Sequence, residues 1–182
     1  MKTESNVAYI ARLTITLLLI TAVVAAALAA VNSVTAPKIQ AINEQKTQTA
    51  IEAVLPGGGE EIAFTDDTGL VSTVYKGQSG YAVEVTPSGF NGTVTMMVGV
   101  DNAGKVLGIS VVNHTETAGL GAEAASQGAA GTAFRSQFAG MSGSVSVTKD
   151  GGQVDALTGA TITSRAVCTG VNAALNAVAK LG

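Results

Sequence analysis

Thr93-Val-Thr-Met-Met-Val-Gly-Val100, then Asp101-Asn-Ala-Gly-Lys105, then Val106-Leu-Gly-Ile-Ser-Val-Val-Asn113 is the stretch that decides the fold class. Two runs rich in apolar and β-branched residues flank a short turn containing glycine, which is the pattern of an antiparallel hairpin. Val98, Val100, Val106, Ile109, Val111 and Val112 are the expected centre of the core. Upstream, Val71–Lys76 and Tyr81–Thr86 flank Gly77-Gln-Ser-Gly80 and predict a second hairpin. Downstream, His114–Gly131 reads as a loop, and Ser144–Thr148, alternating serine and valine, reads as a further strand. Ser164–Leu181 places Val167, Val171, Ala174, Leu175 and Val178 on one helical face, with Ser164 as its expected N-cap. The expectation is an α+β domain, a small and mainly antiparallel sheet with helices packed on it.

Working toward the N-terminus, Val34–Leu55 predicts a helix, with Pro37 in its first turn and Pro56-Gly57-Gly58-Gly59 ending it. Before it, no charged residue occurs from Leu13 to Pro37. The nineteen residues Leu13–Val31, at about 1.5 Å each, approach the ~30 Å thickness of a bilayer's hydrocarbon core. Lys2 and Arg12 precede this run, so the positive-inside rule keeps the N-terminus cytoplasmic and exports the rest. A cleaved signal peptide is the competing reading, since Ala27-Leu28-Ala29 fits a cleavage site. The apolar run is longer than a usual signal core, which favours an uncleaved anchor.

Composition narrows the chemistry. The 182 residues carry a net charge of −3 and no tryptophan, so neither a basic nucleic-acid footprint nor a base-stacking platform is expected. One cysteine, Cys168, permits no intrachain disulfide and no iron–sulfur or structural zinc site by itself. One histidine, His114, leaves no histidine cluster and no evident catalytic triad. Redox chemistry in this chain therefore calls for an organic cofactor or a partner.

The stretch Asp155-Ala-Leu-Thr158-Gly159-Ala160-Thr161-Ile-Thr-Ser164 is a glycine-containing turn feeding a helix N-terminus. Such a terminus offers unpaired N–H groups and partial positive charge, which suit a phosphate. Read on these grounds alone, a Ser/Thr-rich cap with no ligand explains it better. However, Asp155-x-x-Thr158-Gly159-Ala160-Thr161 resembles the flavinylation motif of the FMN-binding domain found in the G subunit of Rnf complexes and in the C subunit of the sodium-pumping NADH:quinone reductase. In addition, His114-Thr-Glu116-Thr117-Ala118-Gly119-Leu120-Gly121 resembles that family's H-x-E-T-P-G-L-G loop, with Ala118 where proline is usual.

The resemblance implies FMN bonded covalently to Thr161 as a phosphoester by a flavin transferase. Asp155, Thr158, Gly159 and Ala160 would form the recognition turn. His114, Glu116, Thr117, Gly119, Leu120 and Gly121 would form the loop against the flavin, where Glu116 and Thr117 would meet its polar edge and Leu120 a ring face. It implies the following organisation: residues 1–12 cytoplasmic, 13–33 a transmembrane helix, 34–79 a stalk helix and linking segment, and 80–182 the covalent FMN domain outside the cytoplasm. It implies an electron-relay component of an Rnf-type ion-translocating ferredoxin:NAD oxidoreductase, not catalytic alone, whose partners are other membrane subunits, the transferase and the lipid bilayer. The alternatives are the equivalent quinone-reductase component, a free-standing exported FMN protein, and an anchored envelope-structural domain with no cofactor. Phe134, Phe138 and Cys168 read as core residues. Arg165 and Lys149 are candidates to neutralise a phosphate.

Overall fold

The structure, a computed structural model, describes residues 6–181. It divides between Glu44 and Gln45 into two compact units. Helix α1 spans Asn6–Val54 and begins in the first of them. Among the described residues it is the one helix long and apolar enough to cross a membrane. Its large apolar side chains in this unit, from Tyr9 to Ile42, are all exposed. Its hydroxyls turn back onto their own helix: Thr16 donates to the Arg12 carbonyl at 2.8 Å, and Ser33 to that of Ala30 at 2.8 Å. An apolar surrounding requires that economy, because it offers no water to satisfy them.

The helix expected from Val34 is continuous with the apolar run before it, so Pro37 lies inside α1 rather than in a first turn. Proline removes one backbone bond from the ladder and crowds the preceding turn, at a cost of about 3 kcal/mol. The alanine- and leucine-rich segment before it and the Ile39–Val54 segment after it both favour helix, so one defect does not divide them.

In the second unit five antiparallel strands lie in chain order: β1 (Glu60–Ile62), β2 (Val71–Lys76), β3 (Gly80–Val85), β4 (Val94–Asp101) and β5 (Val106–His114). Both predicted hairpins are present. At the second turn Asp101 Oδ1 accepts the N–H groups of Ala103 and Lys105, at 2.9 and 2.8 Å. Strand β1 is not visible in the sequence because its Glu60-Glu61 pair offers no apolar alternation.

Both faces of the sheet are covered. Val74, Val83, Val85, Met96, Val98 and Val100 share one cluster with helix α2 (Ala129–Ser136) and helix α3 (Thr161–Leu181). On the other face Ala82 and Met97 pack on Ala50, Ile51, Val54 and Leu55 at the end of α1. This explains why β4 reads as a nearly unbroken apolar run instead of alternating. Gly99 permits the close approach, since a Cβ there would strike the Val54 carbonyl. Phe134 and Phe138 are buried edge to face, their ring centroids 5.4 Å apart, as expected of core aromatics.

Three further expectations are corrected. The segment after His114 is not all loop: a 3-10 turn covers Gly121–Ala124 and α2 begins at Ala129. Ser144–Thr148 is not a strand. The Val145 backbone exchanges two 2.8 Å hydrogen bonds with the Asn172 side-chain amide of α3, which takes the place of a neighbouring strand, and Val147 alone bridges Val154. Helix α3 starts at Thr161, and Ser164 sits within its first turn, accepting Leu157 N–H and donating to the Ala160 carbonyl, both at 3.0 Å.

Gly99→Val should lower the protein's stability by about 1–3 kcal/mol through this backbone collision. Gly108→Ala, where a Cβ meets nothing within 4 Å, should leave it nearly unchanged. Thermal unfolding of the two variants beside the wild type checks the contrast.

Candidate functional site

Four segments converge at the start of α3: the bend after β3 carrying Phe90 and Asn91, the segment Thr115–Gly121 after β5, the 3-10 turn Thr148–Asp150, and Asp155–Ala160. Their centre is Glu116, a buried carboxylate. Its Oε1 accepts the Asn91 N–H at 2.9 Å, and its Oε2 accepts the Thr163 hydroxyl. Two glycines make room for it: a Cβ at Gly89 would sit 2.5 Å from Oε1, and one at Gly121 would sit 2.5 Å from Oε2 and from Thr163 Oγ1. Asn91 adds a reciprocal pair with Thr115, donating from Nδ2 to its carbonyl at 2.8 Å and accepting its hydroxyl at 2.9 Å.

Around this anchor lies a cavity of about 300 Å³ lined by Phe90, Glu116, Thr117, Leu120, Gly121, Lys149 and Gly159 through Thr163. The structure thus gathers Glu116, Thr117, Leu120, Gly121, Gly159, Ala160 and Thr161 of the sequence-predicted set. Gly119, Asp155 and Thr158 line a neighbouring groove of about 590 Å³, which shares Leu120 and reaches Phe134. His114 lines neither. Its Nδ1 accepts the Glu116 N–H at 3.2 Å, a bond within the loop itself. Phe90, Ile162 and Thr163 were missed. Ser88-Gly-Phe-Asn-Gly92 carries the mark of an ordinary turn, and only its distant pairing with Glu116 reveals its place.

The turn into α3 is built locally. Gly159 has φ +73°, a left-handed conformation that disfavours any side chain, and Ala160 N–H returns to the Leu157 carbonyl at 2.9 Å. Asp155 is fixed through its backbone: the Gln137 amide donates to its carbonyl at 3.2 Å and accepts its N–H at 2.8 Å. At the helix start, Thr161 is half-buried and accepts a hydrogen bond from Lys149 Nζ at 3.2 Å. Arg165 is engaged elsewhere, donating from Nε and Nη2 to the two Asp150 oxygens, both at 2.7 Å. These hydrogen bonds hold the Asp150 carboxyl below its usual range. Opposite this polar end stand exposed apolar side chains: Phe90 at 67%, Ile162 at 48% and Leu120 at 44% exposure.

A cavity with a cationic, hydroxyl-bearing end and an apolar rim suits an amphiphilic ligand that joins a phosphate to a flat ring system. In agreement, residues 89–176 match the model of the FMN-binding domain. The chain is 35% identical to the G subunit of the Na(+)-translocating ferredoxin:NAD(+) oxidoreductase complex of Acetobacterium woodii, over 88% of this chain and 87% of that protein. It is 31% identical to the G subunit of the ion-translocating oxidoreductase complex of Methanosarcina acetivorans, over 93% and 94% respectively. The chain belongs to the G-subunit family of ion-translocating, Rnf-type oxidoreductase complexes.

The residues present fit FMN. The N–H groups of Thr161, Ile162 and Thr163 precede the first main-chain bond into α3, that from Ser164 N to the Ala160 carbonyl, and so remain available for phosphate oxygens together with Lys149. Phe90, Leu120 and Ile162 offer apolar surface to the ring.

Glu116→Ala should cost about 2–3 kcal/mol, the scale of hydrogen bonds to a buried charge, read as a drop in thermal unfolding midpoint. Cys168, on the buried face of α3, has its thiol pushed up to about 11, mainly by burial and then by the Asp150 charge. At pH 8 the folded protein should resist iodoacetamide, and it should label fully once denatured, as mass spectrometry would read.

Proposed function

We propose that this chain is a membrane-anchored flavoprotein subunit that relays electrons through FMN bonded covalently to Thr161, within an Rnf-type ion-translocating ferredoxin:NAD oxidoreductase complex. The observation that carries the reading is the placement of Thr161. Its hydroxyl stands at the first position of α3, beside Lys149 Nζ, inside the cavity rimmed by Phe90, Leu120 and Ile162. Bound there, FMN would supply reversible electron transfer, and the protein would supply fixation and tuning of potential.

The chain's own residues divide the remaining work. Glu116 ties the Asn91 bend and the loop bearing Leu120 to α3. Gly159 turns the backbone so that Thr161 enters the helix with its hydroxyl toward the cavity. Asp155, Thr158, Gly159 and Ala160 form the surface a flavin transferase would recognise, and Asp155 and Thr158 are both exposed. A covalent link is suited to the outside of the cytoplasm, where a dissociated cofactor would be lost. The apolar part of α1 is the anchor. Lys2 and Arg12 favour a cytoplasmic N-terminus, with residues 34–79 as linking segment and 80–182 as the flavin domain on the opposite side. Likeness along most of the chain to proteins named as G subunits of ion-translocating complexes favours this reading over the equivalent quinone-reductase component.

The test is flavinylation itself. The protein is made with a flavin transferase, denatured, and compared with Thr161→Ala by intact mass and in-gel fluorescence. Wild type should gain the mass of FMN less one water and fluoresce, and the variant should do neither. If wild type stays unmodified while a known substrate of the transferase is modified in parallel, the covalent reading fails.

A further inference from the structure

Two cations lie near Thr161, and the geometry separates them. Arg165, one turn into α3, spends its guanidinium on Asp150 through two 2.7 Å hydrogen bonds. Lys149 has no carboxylate partner among the described residues. Its Nζ is directed at Thr161 Oγ1, 3.2 Å away, and it lines the same cavity.

The placement of Lys149 follows from a short, well-fixed turn. Thr148 N–H reaches the Val154 carbonyl at 2.8 Å, and the N–H groups of Asp150 and Gly152 both reach that of Val147, at 2.9 and 3.0 Å. Gly151 takes φ +80°, and a Cβ at Gly152 would collide with the Ser146 carbonyl. The turn therefore needs both glycines, and it presents two successive side chains to α3 in different ways. Asp150 engages the Arg165 guanidinium, while the turn keeps its shape through its own backbone bonds. Lys149 meets the hydroxyl.

We infer that Lys149 is the phosphate-binding cation of this site: its ammonium pairs with the phosphate borne on Thr161, while Arg165, engaged by Asp150, does not bind it. The inference rests on the covalent reading of Thr161 and deepens it. A phosphodiester on Thr161 keeps one negative charge, and Oγ1 is the atom Lys149 already touches. A charge-assisted contact of this kind is stronger than a neutral one and is screened by salt. Lysine suits the role as a compact point charge on a flexible stem.

The test is a cycle in which flavinylation is one leg. Full-length wild type, Lys149→Met, Lys149→Arg and Arg165→Met are each prepared in detergent with and without the transferase, and intact mass reports the adduct. The readout is the change in thermal midpoint between unmodified and modified forms. Lys149→Met should lose at least half of the wild-type change, Lys149→Arg should restore most of it, and Arg165→Met should match wild type. The Lys149-dependent part should also fade at about 1 M salt, where the screening length is ~3 Å. The ³¹P resonance of the modified protein should move in Lys149→Met and stay in place in Arg165→Met. Equal midpoint changes in wild type and Lys149→Met, or a loss confined to Arg165→Met, overturn the assignment with the adduct on Thr161 intact. A wild type that carries no adduct removes the Thr161 reading, and this assignment with it.

Discussion

A single carboxylate organises the region around Thr161. Glu116 is buried, and water is replaced at its two oxygens by the Asn91 N–H and the Thr163 hydroxyl, donors far apart in the chain. A buried charge is tolerated only when its hydrogen-bonding needs are met, so each donor segment must lie where Glu116 requires it. That constraint locates the Phe90 bend on one side of the cavity and the start of α3 on the other. The glycines at 89 and 121 belong to the same constraint, because the carboxylate occupies the space their side chains would take.

The sheet supplies the platform. Its valine-rich strands bury one face under α2 and α3 and the other under the end of α1, so the strand that leads toward His114 is fixed from both sides. The hairpins were legible because each strand is short, apolar and bounded by a glycine-containing turn, and their observed ends differ from the expected ones by about one residue. Where expectation and structure part, a tertiary partner overrides a local pattern. Val145 resembles a strand residue, but its backbone is satisfied by the Asn172 amide of a helix, which no local pattern announces. Pro37 looks like a helix start because proline commonly is one, and only the helix-forming residues on both sides keep it interior.

The site was legible in a different manner. Residues 114–121 and 155–161 stand out as two motifs, and the fold brings most of both into one cavity and its neighbouring groove. What the sequence withheld was the division of roles. Glu116 lies against the cavity yet has both oxygens engaged within the protein. His114 lines neither cavity and accepts the Glu116 N–H within the loop. Arg165 and Lys149 are equivalent as letters, and only geometry distinguishes the paired cation from the one facing a hydroxyl. Phe90 and Thr163 owe their positions to contacts across long stretches of chain, which periodicity cannot report.

The rim of the cavity bears on handling as much as on chemistry. Outside α1, Phe90, Leu107, Leu120 and Ile162 are the most solvent-exposed large apolar side chains among the described residues, and three of them line the cavity with Thr161. Apolar area left in water carries a free-energy cost of about 25 cal/mol per Å², and a clustered rim is a ready site for unwanted association. On the proposed reading, attachment of a flat aromatic ring gives those side chains something to cover. On that reading, maturation would change the solubility of the chain as well as its colour.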